Sequence, residues 1–228
     1  LVTALGASWP DTTWSQGAGN EFRDYEIARM RAAGSNATGL RPQQVVDAVR
    51  DVAPAGTIAT IDAGAHMLPA TVLWPVQQPD ETVVSSGLVT MGFALPAAIG
   101  AALARPQRRV VCFTGDGGLG MCLAELETLQ RLNLDVTVVV FNDSLLSLIA
   151  IKAKPEGQGG AGAVQFRQTD FAQIAAGFGI ESVSVTNAAE VAAAMTTALR
   201  RSGPMLIDAR VDPSGYKEIM DVVRGPRP

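Results

Sequence analysis

A glycine-rich segment that contains a carboxylate is the first feature of this sequence that could do chemistry. Residues 114–120 read Thr-Gly-Asp-Gly-Gly-Leu-Gly and separate a predicted strand from a predicted helix. Glycines let the backbone approach a ligand closely and a helix start presents unpaired N–H groups, so the segment suits a phosphate. Asp116 would repel a phosphate unless a divalent cation lay between them. Mg²⁺ takes oxygen ligands, and Asn142 or Asp143, which end the next predicted strand, could share it with Asp116.

The same segment also satisfies a dinucleotide-binding pattern. Gly115, Gly117 and Gly120 fit Gly-x-Gly-x-x-Gly, and Asp143 could hold a ribose hydroxyl. However, Asp143 follows Gly115 by 28 residues, where that fingerprint expects about 20, and at least one strand is predicted before the loop. An NAD(P)-binding oxidoreductase module is therefore the weaker alternative.

Alternating strands and helices are predicted to position these residues. Strands are predicted at 57–61, 109–113, 136–141, 181–185 and 204–209, and helices at 43–50, 95–104, 119–132, 171–178 and 188–200. The almost continuously apolar run 136–141 is typical of a parallel strand covered on both faces. The sequence thus predicts an α/β fold with a doubly wound, mostly parallel sheet and helices on both faces. Ligands of such sheets bind beyond the carboxyl ends of the strands, where the sequence places Asp62, Gly115, Asp116, Asn142 and Asp143.

The composition excludes several classes of function. Of 228 residues 47% are hydrophobic and 18% charged, so the chain can bury a large core. A formal net charge of −4 offers no footprint for nucleic acid or an anionic membrane, and no apolar run approaches the roughly 20 residues of a membrane span. Cys112 and Cys122 are interpreted as reduced core thiols of a cytoplasmic protein. The chain opens with Leu1, which leaves open whether a preceding part is missing.

Together these residues resemble the thiamine diphosphate-dependent enzymes, in particular the acetolactate synthases. The carriers of the resemblance are Gly-Asp-Gly at 115–117 and the pair Asn142-Asp143, where the family usually has Asn-Asn. The resemblance implies the thiamine diphosphate-binding fold, with the cofactor held through Gly115, Asp116, Gly117, Gly118 and Asp143. It also implies Mg²⁺ bound by the Asp116 and Asp143 side chains and the Leu145 carbonyl, with Asn142 less certain.

Two further segments are similar to the same family. In residues 86–100, Met91 would be the bulky residue that bends the cofactor, and the Val89 carbonyl would accept from its aminopyrimidine. The family usually has Gly at position 89, so the Val89 side chain is expected to narrow the substrate channel. In Asp62-Ala-Gly-Ala-His66, the resemblance assigns Gly64 and His66 to the diphosphate, while Ala65 replaces a usual Gln.

The resemblance also defines what the chain lacks. The family activates its cofactor with a glutamate from a separate pyrimidine domain, and none of the nine glutamates here lies in a similar context. We therefore expect no catalytic residue in this chain. Residues 41–228 are predicted to be the pyrophosphate-binding (PP) domain, and residues 1–40 a linker or the tail of a preceding central domain. The partner would be a pyrimidine-domain subunit or a missing N-terminal part, within a hetero- or homo-oligomer.

The substrate is less well defined than the cofactor. The resemblance implies decarboxylation of a small 2-keto acid and favours carboligation, and acyl-CoA-type substrates belong to related enzymes. Residues 145–154 and 157–162 would line or cover the cleft, and Lys152 and Lys154 could contact an anionic substrate. A non-catalytic regulatory subunit that keeps the fold is the second alternative.

Overall fold

A six-stranded parallel sheet forms the centre of the protein. The structure is a computed structural model and describes residues 16–152 and 160–225. The strands are β1 (Ile58–Ile61), β2 (Thr82–Val84), β3 (Val110–Gly115), β4 (Val136–Asn142), β5 (Glu181–Val185) and β6 (Met205–Arg210). Their order in the sheet is β2-β1-β3-β4-β6-β5, and every pairing is parallel.

Helices cover both faces of this sheet. They are α1 (Gln16–Ala32), α2 (Pro42–Val52), α3 (Met67–Leu73), α4 (Ala94–Ala104), α5 (Asp116–Met121), α6 (Glu125–Arg131), α7 (Ser147–Lys152), α8 (Gly160–Ala163), α9 (Phe171–Gly177), α10 (Ala188–Arg200) and α11 (Tyr216–Arg224). Alternate residues of β3 point to opposite faces, so that Val111 and Phe113 join one apolar core with α2, α3, α10 and α11. Val110 and Cys112 join a second core with α4, α6 and α9. The predicted doubly wound α/β fold is confirmed.

The sequence of the central strands explains their position. All seven residues of β4 are buried, and five of them are Val or Phe, which pack well on a pleated surface covered from both sides. The register pairs Gly115, the last residue of β3, with Phe141 of β4. The loops that follow these two strands therefore leave the sheet at one edge and at neighbouring positions.

Three predictions about local structure need correction. The helix expected at 119–132 is two helices, α5 and α6, because the three glycines of α5 disfavour a long helix and Cys122 ends it with φ −132°. Helices α1, α3, α7, α8 and α11 and the short edge strand β2 were not expected. Of the two segments expected to line or cover the cleft, 145–154 contains α7, and Lys154 lies outside the described part. In the segment 157–162, residues 157–159 also lie outside the described part, and the rest belongs to α8.

The segment before residue 41 packs on the sheet-bearing unit. Met30 of α1 is fully buried in the first core, and the backbone N–H of Asp212 donates to the Leu40 carbonyl at 2.8 Å. The predicted boundary at residue 41 stays a prediction. Among the helices of the described residues, none is both long enough and apolar enough to cross a membrane.

Candidate functional site

A cavity of about 260 Å³ opens at the carboxyl edge of the sheet, beyond β1, β3 and β4. From β1 the chain runs outward to β2, and from β3 it runs the other way to β4, so the strand order reverses between β1 and β3. Such a switch point is where doubly wound sheets bind ligands. Apart from Asn142, the cavity lining includes the residues that the sequence assigned to cofactor or metal: Gly64, His66, Val89, Met91, Gly115, Asp116, Gly117, Gly118, Asp143 and Leu145.

The glycine-rich turn needs its glycines because neighbouring atoms fill the space of a side chain. A Cβ on Gly117 would lie 2.6 Å from Cδ2 of Leu146 and 3.0 Å from Cε of Met91. A Cβ on Gly118 would lie 2.5 Å from a carboxylate oxygen of Asp62. The backbone of the turn is therefore pressed against the loop that carries Met91 and against the segment after β4.

Two carboxylates stand side by side in the cavity wall. Asp116 accepts from the backbone N–H groups of Gly117 and Ser144, at 2.6 and 2.7 Å, and Asp143 accepts from the N–H of Leu145 and the hydroxyl of Ser147. Burial, together with the negative charge of Asp116, raises the pKa of Asp143 to about 7, although the hydrogen bond from Ser147 lowers it. Burial also raises the pKa of Asp116. Two buried like charges favour either a shared proton or a bound cation.

The donor set fits a hard divalent cation only if other oxygens complete it. No cluster of three His, Cys, Asp or Glu side chains able to hold a metal occurs in the described part of the chain. The carboxylates of Asp116 and Asp143 supply two positions, and backbone carbonyls and a ligand phosphate would have to supply others. This is how Mg²⁺ is commonly bound, through one or two carboxylates together with substrate phosphates.

The single histidine lies beneath the cavity with an unused nitrogen. The imidazole of His66 stacks on Phe141, with ring centroids 5.2 Å apart, and fills the space beside Gly64, where a Cβ would lie 2.6 Å from the ring. Its Nε2 is buried and has no hydrogen-bond partner among the described residues. Burial lowers the pKa of His66 to about 3, so the ring is neutral at physiological pH. A ligand acceptor would satisfy this nitrogen.

The loop with Val89 and Met91 forms another wall of the cavity. Val89 has a φ of +50°, a left-handed conformation that is strained for a β-branched residue. Met91 is half-buried, and its methyl group lies close to Gly117. Immediately after it, Gly92 also has a positive φ and donates its N–H to Asp62 at 3.1 Å.

Asn142 lies outside the cavity lining. Its side-chain amide donates to the Thr169 carbonyl at 2.9 Å and to Asp208 at 2.8 Å, so the amide is held on the far side of β4. Asp143 therefore offers the carboxylate at the end of this strand.

Sequence reasoning missed two lining residues, Phe141 and Tyr216. Phe141 could have been found as the last residue of the predicted strand 136–141, directly before Asn142 and Asp143. Tyr216 comes from α11, which no sequence pattern predicted. Tyr216 is buried, and burial together with the charges of Asp143 and Asp116 raises the pKa of its phenol. Helix α7 adds Ile149 and Lys152 to the lining, within the segment expected to line the cleft.

Comparison with known proteins places this geometry in context. The family model described as "Thiamine pyrophosphate enzyme, C-terminal TPP binding domain" matches residues 62–209. Acetolactate synthase isozyme 1 large subunit of Escherichia coli is 38% identical over 204 residues, which are 89% of this chain and 36% of that protein. The isozyme 2 large subunit of the same organism is 35% identical over 93% of this chain and 38% of its own length.

Solved structures show the same architecture. A thiamine diphosphate-dependent 4-hydroxybenzoylformate decarboxylase of Rhodococcus jostii superposes with a TM-score of 0.71 at 25% identity, over 78% of this chain and 34% of that one. The chain thus spans about a third of the length of the relatives it matches.

Proposed function

The chain belongs to the thiamine pyrophosphate enzymes, and we propose that it holds thiamine diphosphate, the same cofactor, together with Mg²⁺ in the cavity at the carboxyl edge of its sheet. Within that family it resembles the acetolactate synthases, as the sequence predicted. One observation carries the proposal: ten residues from four separate segments, each assigned from sequence motifs, line a single cavity. Family membership also weighs against an NAD(P)-binding module.

We infer that the diphosphate end lies over the turn at 115–118. The carboxylates of Asp116 and Asp143 and the carbonyl of Leu145 would hold Mg²⁺, which would separate the acidic side chains from the phosphate charge. Nε2 of the neutral His66 would donate to a phosphate oxygen, because it is buried and lacks a partner among the described residues. These roles account for two features that are costly without a ligand: adjacent buried carboxylates and an unpaired buried nitrogen.

At the other end of the cavity, the loop with Val89 and Met91 would hold the rings. The Met91 side chain would support the bent cofactor from below, and the Val89 carbonyl would accept a hydrogen bond from its amino group. When bound, thiamine diphosphate supplies a carbon nucleophile and an electron sink for decarboxylation of a 2-keto acid. The apolar side chains of Leu146 and Ile149 would exclude water from that region.

A partner must complete this site under the proposal. The activating glutamate would come from a pyrimidine domain, either in another subunit or in a further part of the same chain. Two large apolar side chains near the cavity are exposed to solvent: Leu88 is 95% exposed and Met121 is 66% exposed. Exposed apolar side chains next to a binding cavity are consistent with an interface at this place. The chain also spans only about a third of its relatives, which leaves room for such a domain.

We propose a small 2-keto acid as substrate, with carboligation as the reaction, by analogy with the relatives that are named acetolactate synthases. Lys152 lies in the cavity lining and offers a positive charge for the carboxylate of a keto acid or for the anionic groups of an acyl-CoA-type substrate. The side chain of Val89 would narrow access to the ring end, so small substrates are favoured.

Calorimetric titration with thiamine diphosphate, with and without Mg²⁺, tests the proposal. We expect metal-dependent binding that Asp116→Ala abolishes. Asp24→Ala is the control, because it removes an exposed carboxylate of α1 outside the cavity lining, and it should leave binding intact. Binding of NADH without metal would instead support an oxidoreductase module. Absence of thiamine diphosphate binding even in a complex with co-purifying proteins would support a regulatory subunit.

A further inference from the structure

Asp62 is a buried carboxylate that gathers four hydrogen bonds just outside the cavity. It follows β1 and is fully inaccessible to solvent. Its Oδ1 accepts from the backbone N–H groups of Ala63, at 2.8 Å, and Phe93, at 3.3 Å. Its Oδ2 accepts from the N–H of Gly92, at 3.1 Å, and from the hydroxyl of Thr114, at 2.9 Å. One side chain therefore joins three separate segments.

Two of these segments lead into adjoining walls of the cavity. Gly92 and Phe93 directly follow Met91, and Thr114 directly precedes the glycine-rich turn. A Cβ on Gly118 would lie 2.5 Å from Oδ2 of Asp62 and 3.0 Å from the Thr114 hydroxyl. The carboxylate thus occupies the space that a side chain at position 118 would need, and it sets the distance between the two walls.

The charge of Asp62 has no counterion in the part of the chain that the structure describes. Its partners in hydrogen bonds are three N–H groups and one hydroxyl, and no described Lys, Arg or His forms an ion pair with it. A buried charge without an ion pair is costly to stability, and a residue that serves only packing would be better apolar.

We propose that Asp62 is a positioning residue that fixes the Met91 loop over the glycine-rich turn. The ring-holding wall and the diphosphate-holding wall would then keep a constant separation before a ligand arrives. This inference rests on the proposed function, because the ring-holding role of Met91 is part of it. Asp62 itself does not line the cavity, so it acts through the backbone of Gly92 and Phe93.

Asparagine at position 62 would disturb one bond of the four in particular. With its amide oxygen at Oδ1, asparagine keeps the bonds from Ala63 and Phe93. The amide NH₂ group then takes the place of Oδ2. The Thr114 hydroxyl can rotate and accept a hydrogen bond from this NH₂ group, but the N–H of Gly92 can only donate. Two donors would face each other there, so the Met91 loop should move away while the strands stay paired.

Methyl NMR tests this directly. The sample is the full-length protein, labelled at its methionine methyl groups and purified together with any partner subunit. The chain has seven methionines, of which Met91 lies at the cavity and Met30 and Met195 lie in the core. We expect Asp62→Asn to shift the Met91 methyl signal and to leave those of Met30 and Met195 in place. Gly118→Ala, whose methyl group would displace the Asp62 carboxylate, should shift the same signal. Thr114→Ser, which keeps the hydroxyl, should behave as wild type.

Asp208→Asn is the matched control, because Asp208 is equally buried and also accepts several hydrogen bonds, on the far side of β4. It should not shift Met91. If Asp62→Asn does not fold, Gly118→Ala carries the same test. An unmoved Met91 signal in a folded variant, or equal shifts of Met91, Met30 and Met195, would overturn the inference.

Ligand binding separates this inference from the proposed function. For Asp62→Asn we expect the affinity for thiamine diphosphate with Mg²⁺ to fall about tenfold or more, because a buried N–H loses its acceptor on the ring side. The affinity for inorganic pyrophosphate with Mg²⁺ should change less than about threefold. An equal loss for both ligands would contradict a role in holding the Met91 loop. Failure of the wild type to bind either ligand would refute the proposed function, while the Met91 signal would still report on Asp62.

Discussion

Replacing Val89 by glycine should remove backbone strain from the wall of the cavity. With a φ of +50°, Val89 holds its β-branched side chain in a left-handed conformation, which costs about 1–3 kcal/mol. Glycine adopts this conformation without penalty. The substitution also loses the burial of the valine side chain and increases the entropy of the unfolded chain, and both effects act against the gain.

A second valine isolates the strain. Val72 in α3 is 40% exposed and Val89 is 41% exposed, so the burial lost on replacement by glycine is nearly the same at the two positions. Val72 has ordinary helical geometry, and Val72→Gly should therefore destabilise the protein by about 1–2 kcal/mol. Val89→Gly should leave the free energy of unfolding unchanged or raise it by up to about 1 kcal/mol. The expected difference of about 2 kcal/mol between the variants measures the strain.

Urea unfolding followed by circular dichroism gives both free energies under one set of conditions. The slope of each transition must agree with that of the wild type for the comparison to hold. If Val89→Gly is as destabilising as Val72→Gly, the left-handed conformation carries no strain and the reasoning is wrong. Relief of strain would in turn show that the loop is held in place by the rest of the fold, in keeping with its position between Asp62 and the cavity.

Two further predictions concern the metal side of the cavity. Burial raises the pKa of Asp143 from its usual value near 4 to about 7. Between these two pH values the folded, metal-free protein keeps a proton on Asp143 that the unfolded chain has released. The free energy of unfolding should therefore fall as pH rises from about 4 to 7. Asp143→Asn should remove up to about 4 kcal/mol of this dependence in urea titrations at several pH values, and equal slopes for the two proteins would contradict it. Tyr216→Phe should weaken pyrophosphate binding with Mg²⁺ about threefold to tenfold in calorimetry, through loss of a phenol donor to the ligand. Tyr25→Phe, at an exposed position, should have no effect, and identical affinities for the wild type and both variants would exclude a hydrogen bond from Tyr216 to the ligand.

The layered architecture could be predicted because its signals are local. Near-continuous apolar runs such as the one in β4 are typical of covered parallel strands, and glycine and proline mark the breaks between elements. Short or weakly patterned elements could not be predicted in the same way. Strand β2 has three partly buried or exposed residues, and α7 has six residues, too few for a periodic pattern to stand out.

The cavity was predictable where its residues belong to strand ends and glycine-rich turns. Gly115, Asp116 and Asp143 follow strands whose carboxyl ends must meet at one edge of a parallel sheet, so their proximity follows from the topology. Tyr216 reaches the cavity only because α11 folds back after β6, and no local pattern encodes that path. The direction of the Asn142 side chain is likewise set by Asp208, which lies 66 residues further along the chain.

Two fully buried carboxylates, those of Asp62 and Asp208, are stabilised by different kinds of partner. Asp208 pairs with Arg210 at 2.8 Å and accepts from Asn142, Phe171 and Ser184, so its charge is balanced within β6 itself. Asp62 is balanced only by dipoles, and three of its four donors are backbone N–H groups. Those dipoles keep their strength only while the loops stay in place, so a movement of the Met91 loop would expose the full cost of the buried charge. The fold thereby makes displacement of the Met91 loop unfavourable before any ligand binds. The buried charge of Asp208 does not depend on that loop, because Arg210 balances it.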